Sequence, residues 1–297
     1  MMKRTLSSSL TGCAFVLPAT FFLAVFVIFP VLFNIFISFH RWDIMTPPVF
    51  RGLRNYEFLF ADDNFWQAVS NTVVFVALAV PAQMGLGLIA AILLNEAIIG
   101  RTWLRSIIFS PMVVSMAAAG IMFRWLFNGS EAAPGFVATS IQSLGIDYPN
   151  WQLQQGPWAM LFIVLMNTWK SAGYCMIIYI AGLQTIPRDL YEAASVDGVN
   201  SMWQKFRYIT WPLLTSTTAI LLVTTTIFSF RAFDPMFIMT DGGPNGTTTT
   251  IIFYIYEKFQ AFSGIAAAAA TFLLVAVLGL TATQLWITRR QEQAIYG

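Results

Sequence analysis

Charge is scarce in this sequence. Of its 297 residues, 10% are charged and 57% are hydrophobic, where a soluble domain carries about 25% charged residues. Such a chain cannot face water all round, and the solvent it implies is a bilayer. The net charge of +2 is too small and too scattered for a nucleic-acid surface, so no nucleic-acid partner is expected. Histidine is nearly absent. His40, the 1 histidine present, lies at the outer mouth of the first apolar run and reads as an interfacial residue. Cys13 and Cys175 sit far apart inside apolar runs. They have neither metal-ligand spacing nor the density of a disulfide scaffold, and they read as packing residues. A membrane enzyme would need clustered bases, nucleophiles or metal ligands, and none is in view. No G-x-x-x-x-G-K-[ST] phosphate loop occurs either. No cofactor is therefore expected on this chain, and any ATP has to be bound by a partner.

The amino terminus imitates two processing signals. Leu10-Thr11-Gly12-Cys13 looks like a lipoprotein cleavage box, but the apolar stretch such a signal needs before its cysteine comes after it. Lys3 and Arg4 precede an apolar run as in a signal peptide. Cys13 to Phe39, however, is 27 residues without a charge, longer than the roughly 7–15 of a cleavable core. This run is expected to remain as a first membrane span.

Six stretches have the length and apolarity of spans, which need about 20 residues: 13–39, 65–94, 106–127, 157–183, 209–233 and 264–288. Backbone groups in lipid must be satisfied within the segment, which favours helices. The alternating ten-residue pattern of a β-barrel is missing. The expected fold class is all-α, a polytopic membrane protein with six transmembrane helices. Pro18, Pro30, Pro81, Pro111, Gly85 and Gly87 suit spans that kink or pack closely. With the amino terminus inside, the inner segments hold Lys3, Arg4, Arg101, Arg105, Arg188, Lys205, Arg207, Arg289 and Arg290. The outer loops hold only Arg41, Arg51, Arg54 and Lys258. This imbalance predicts that both termini are cytoplasmic.

The loop 184–208 is the most informative segment. Pro187 suits the first turn of a helix, and Leu190, Ala193 and Ala194 then share one face. Gly198 ends that helix, and Asn200 or Ser201 can cap the next, which carries Trp203, Phe206 and Ile209 before Pro212. The pattern predicts two short amphipathic helices joined by a turn at the inner membrane face. A ridge of small residues beside Glu192 suits docking. An interfacial hairpin without any partner would show the same pattern.

Glu192-Ala193-Ala194, Asp197-Gly198, Ile209 and Pro212 resemble the EAA motif of binding-protein-dependent ABC importer permeases. The resemblance runs along most of the chain. It includes Phe50-Arg51-Gly52-Leu53-Arg54-Asn55-Tyr56, Arg124-Trp125-Leu126-Phe127-Asn128 and Asn167-Thr168-Trp169-Lys170. It continues through Ala181-Gly182-Leu183-Gln184-Thr185-Ile186-Pro187, Phe233-Asp234 and Thr240-Asp241-Gly242-Gly243-Pro244. The nearest group is the carbohydrate permeases of the maltose and glycerol-3-phosphate type. One departure is a spacing from Gly198 to Ile209 one residue longer than the family's, with the extra residue expected near Met202.

The resemblance implies a type I ABC importer permease fold in the cell inner membrane. It also implies a second permease subunit, two ATP-binding subunits and an extracytoplasmic solute-binding protein. Leu190, Glu192, Ala193, Ala194, Asp197 and Gly198 would couple to the ATPase. Polar residues inside spans are functional candidates by default. Asn167, Lys170, Ser171 and Tyr174 recur on one helix face, and the resemblance makes them solute-lining. It adds Thr225, Phe228, Ser229 and Ala232, with Arg231 and Asp234 nearby. Amides, hydroxyls and aromatic rings suit a sugar or related polyol. Asn167 and Ser171 could instead tie helices together, and Lys170 could neutralise Asp234 or favour an anionic solute such as a glycerol phosphate. The outer loop with Thr247-Thr248-Thr249-Thr250 would lie under the binding protein. A secondary transporter is the remaining alternative, but no internal repeat of that class is visible.

Overall fold

A hydrogen-bonded helix is the only way for an isolated apolar run to satisfy its backbone in lipid, and most of this chain is helical. The computed structural model describes residues 14–96, 99–148, 150 and 157–296, with the backbone alone at 261, 289 and 291–296. Lys3, Arg4 and Cys13 lie outside the described residues. The helices are α1 (Ala14–Ser38), α2 (Arg54–Ala61), α3 (Asp63–Asn95), α4 (Arg101–Val113), α5 (Met116–Leu126) and α6 (Phe136–Gln142). They continue as α7 (Trp158–Gln184), α8 (Arg188–Val196), α9 (Met202–Leu213), α10 (Thr215–Phe230), α11 (Asp234–Met239), α12 (Ile251–Ala261) and α13 (Ser263–Tyr296). A small antiparallel hairpin pairs His40 with Phe50 and Arg41 with Val49.

Among the described residues, four helices are long and apolar enough to cross a membrane: α1, α3, α7 and residues Ser263–Thr288 of α13. The expected spans 106–127 and 209–233 are not single helices. The first is α4 and α5, bent by 98°, and the second is α9 and α10, bent by 67°. Six crossings result if each bent pair is one span. The breaks have local causes. Pro111 lies inside α4, where its missing N–H and its ring loosen the last turn. Val114 then turns extended, and Ser115 restarts the helix by accepting a hydrogen bond from the Ala118 N–H at 3.2 Å. In the other pair Pro212 sits just before the break, which falls at the buried Leu214.

The contacts divide the chain into two units, Met1–Asp62 with Ile255–Leu274, and Asp63–Tyr254 with Val275–Gly297. In the first unit, Asn34 on α1 donates to the Ala267 carbonyl at 3.2 Å and to Thr271 Oγ1 at 3.1 Å. Asn55 clasps the carboxyl end of α1 by donating to the Ser38 and His40 carbonyls at 2.8 and 2.9 Å. His40 is buried at 9% exposure, and its Nδ1 lies 2.7 Å from the Phe36 carbonyl oxygen, so Nδ1 carries the proton. It is therefore an internally hydrogen-bonded residue. Lys258 pairs with Asp62 at 2.9 Å.

The second unit is built on α3 and α7. Phe75 and Ala79 share a core cluster with Ile163 and Met166, while Met84 and Ala91 share another with Met176 and Ile180. The two helices therefore run in the same direction. Gly182 lets α10 approach α7, since a Cβ there would lie 2.5 Å from Thr217 Oγ1. Arg124 donates to the Ile238 carbonyl at 3.2 Å and ties α5 to α11. Between α11 and α12 the threonine run forms a built loop. Thr248 and Thr250 are buried, donating to the Gly243 and Ala232 carbonyls at 2.8 and 3.3 Å. Asn71 of α3 holds the same loop through the Gly246 and Thr249 carbonyls at 2.8 and 3.0 Å.

Candidate functional site

Two sets of residues carry the functional expectations. The first is the hairpin α8–α9. No residue of α8 is buried, and a helix with an apolar ridge is rarely left uncovered unless something docks there. Pro187 occupies the N-cap position with ψ 137°, one residue before the helical turn expected for it. Leu190 is 44% exposed, Glu192 and Ala193 are exposed, and Ala194 is half-buried. Tyr191 points the opposite way, packing on the α3–α7 core, with its hydroxyl 3.0 Å from Thr210 Oγ1. That bond fixes which face of α8 is outward.

Gly198 closes α8 in a Schellman motif. The Val199 N–H donates to the Ala194 carbonyl at 2.8 Å and the Gly198 N–H to the Ser195 carbonyl at 3.3 Å. Gly198 holds φ +88°, and a Cβ on it would meet no atom within 4 Å. The position is therefore restricted by backbone conformation alone. Ser201 caps the next helix, its N–H donating to Gln204 Oε1 at 3.2 Å. Residues Phe206–Thr210 form a π-turn within α9, in which the Trp211 N–H bonds back to the Phe206 carbonyl.

The second set is only partly brought together. On α7, Asn167 is buried at 6% exposure, while Ser171 and Tyr174 are half-buried. Among the described residues the Asn167 side chain makes no hydrogen bond. Lys170 does not pair with Asp234. Its ammonium donates to the carbonyls of Pro111 and Met112 at 3.3 and 3.1 Å and to that of Val114. On α10, Thr225 and Ser229 turn into the packing. The Thr225 hydroxyl bonds the Leu221 carbonyl at 2.6 Å and faces Met84, and Gln83 Nε2 approaches Ser229 Oγ at 3.5 Å. Ala232 is half-buried against the α3–α7 core, and Phe228, Arg231 and Asp234 are exposed. The packing roles of Gln83 and Met84 were missed from sequence, because a polar residue among apolar ones gives no sign of its partner. Among the described residues, no group of three or more His, Cys, Asp or Glu is placed to hold a metal.

A polytopic helical membrane protein with an uncovered hairpin beside its core is the class these features define. Residues 83–293 match the family described as binding-protein-dependent transport system inner membrane component. The lactose transport system permease protein LacF of Rhizobium radiobacter is 34% identical over 288 residues, 95% of each chain. The trehalose/maltose transport system permease protein MalF of Thermococcus litoralis is 34% identical over 280 residues, 94% of this chain and 93% of that one. In fold, the chain is similar to a bacterial ABC transporter involved in the import of the acidic polysaccharide alginate. The TM-score is 0.83 at 24% identity, covering 97% of this chain and 98% of that chain. This chain belongs to the binding-protein-dependent transport system inner membrane components, and it is a permease component rather than an enzyme.

Proposed function

We propose that this chain is one transmembrane permease of an ATP-driven importer for a sugar or related polyol delivered by an extracytoplasmic binding protein. The observation that carries the reading is the hairpin α8–α9, whose ridge at Leu190, Ala193 and Ala194 has Glu192 exposed beside it, while Tyr191 anchors the helix to the core. Two ATP-binding subunits would receive this hairpin and its equivalent on a second permease. ATP binding and hydrolysis belong to those subunits, and this chain carries no cofactor. The relatives named for lactose and trehalose/maltose support a carbohydrate solute. Asn167, Ser171 and Tyr174 supply amide, hydroxyl and aromatic groups suited to it. A neutral solute is favoured over a glycerol phosphate, because the Lys170 ammonium already faces three carbonyls. Phe228, Arg231 and Asp234 complete the proposed pathway from α10 and the segment after it. Both termini lie in the cytoplasm of a cell whose inner membrane holds the complex, as the distribution of Lys and Arg favours.

The test is to screen the cognate binding protein against neutral sugars, polyols and glycerol phosphates. Uptake of the best ligand is then measured in proteoliposomes holding all subunits. ATP-dependent uptake of a neutral sugar is expected. Uptake that persists without the ATPase subunits, driven by an ion gradient, would replace this reading with a secondary transporter.

A further inference from the structure

We infer that Lys170 is a tethered cation that fixes the break in the α4–α5 span, a positioning residue whose ammonium is not available to the solute. An ammonium has three N–H donors, and here three backbone carbonyls receive them: Pro111, Met112 and Val114. These are carbonyls at the carboxyl end of α4, where the last four lack intrahelical partners. That end also carries the negative pole of the helix dipole.

In lipid, free carbonyls and an unpaired ammonium are each costly, and here each satisfies the other. The opposite side of the break is already closed by Ser115 capping α5. One turn beyond Lys170, Gly173 has no side chain, and α4 uses the space: a Cβ there would lie 2.8 Å from the Phe109 Cα. Lys170 and Gly173 thus seat α4 on α7 at two adjacent points. Asn167 and Tyr174 flank the same face, so Lys170 sets where the broken span stands beside the proposed solute residues. The role holds for any solute and is independent of the sugar reading.

Hydrogen–deuterium exchange on the assembled importer in nanodiscs tests it without solute. In Lys170→Met, amides in the peptide covering residues 110–119 should exchange at least about tenfold faster, since charge-assisted hydrogen bonds are lost. Peptides covering residues 75–91 should be unchanged. Lys170→Arg should keep much of the protection. In Lys170→Ala, added ammonium or methylammonium should slow exchange again at 110–119, because a free cation can enter the carbonyl cluster. Unchanged exchange at 110–119 in Lys170→Met would overturn the inference. So would equal acceleration at 75–91, or a lack of response to the added cation in Lys170→Ala. Failure here would remove the Lys170 argument for a neutral solute, while ATP-dependent uptake still stands or falls on the transport experiment alone.

Discussion

Gly87 on α3 faces Cys175 on α7 so closely that a Cβ on Gly87 would overlap the Cys175 Cβ and lie 2.9 Å from the Met176 backbone nitrogen. The two longest helices of this unit therefore meet with almost no side chain between them, a contact that small residues make possible in membranes. Gly85, two residues away on the same helix, has nothing within 4 Å of its Cβ position. The pair separates helix propensity from packing. Gly85→Ala should be neutral or stabilising by up to about 1 kcal/mol. Gly87→Ala should destabilise by roughly 1–3 kcal/mol, because the added carbon forces the helices apart. Thermal unfolding of the detergent-purified complex measures both. Equal melting temperatures for the two variants would mean that α3 and α7 can separate without cost.

The proposed solute residues predict a split between affinity and assembly. Asn167→Ala and Tyr174→Ala should raise the half-saturating concentration of the sugar identified in the binding-protein screen. The change should be about tenfold, as expected for a lost hydrogen bond or ring contact of roughly 1–2 kcal/mol. Subunit recovery should stay at the wild-type level. Thr225→Val should behave differently, because the Thr225 hydroxyl already bonds the Leu221 carbonyl at 2.6 Å and its side chain is 2% exposed. Its effect should fall on stability, with half-saturation unchanged. Normal uptake by both α7 variants would make Asn167 and Tyr174 helix-packing residues.

Hydropathy and length outline the long helices, and α3, α7 and Ser263–Thr288 begin and end within a few residues of the apolar runs 65–94, 157–183 and 264–288. Pro111 was legible as a kink, but the sharp breaks at 113–116 and 213–215 were not read. Apolar residues continue across both breaks, so the hydropathy pattern does not register a change in direction. The turn at Gly198 was readable, since a glycine after an amphipathic run is a helix stop. The surroundings of Lys170 were hidden for a different reason. A carboxylate such as Asp234 is visible in sequence as a partner for an ammonium, whereas a cluster of backbone carbonyls exists only once a helix has ended beside it.

The parallel course of α3 and α7 constrains topology. Two helices that run the same way across a bilayer need an odd number of crossings between them, which the bent pair α4–α5 supplies as one span. Reporter fusions at Asn150 and Ser201, on either side of α7, should therefore report opposite compartments. Alkaline phosphatase should be active at Asn150 only, and a fluorescent protein that folds in the cytoplasm should be bright at Ser201 only. The same reporter active at both sites would exclude α7 as a span.

The hairpin proposed to couple to the ATPase yields the most direct prediction. Glu192 is exposed on α8 and takes no part in the Tyr191–Thr210 anchor, so Glu192→Ala should leave the fold of the hairpin intact. In the assembled importer a basic group on the ATPase subunit should face it. Removing one partner of a buried charge pair costs about 3–5 kcal/mol, whereas a rim pair costs about 0–1 kcal/mol. The size of the loss thus measures how deeply Glu192 docks. Gly198→Asp probes the neighbouring notch. No atom lies within 4 Å of its Cβ position, but φ +88° strains any L side chain there. The variant should therefore still insert, while the shifted turn tilts the second helix and loosens its fit to the partner subunit. Both variants should reach the membrane in normal amounts and lose recruitment of the ATPase subunits, solute-stimulated hydrolysis, or both. Co-purification and hydrolysis assays on the two complexes decide the matter. Wild-type recruitment and stimulation in both would remove the hairpin from the coupling path and leave it a passive interfacial element.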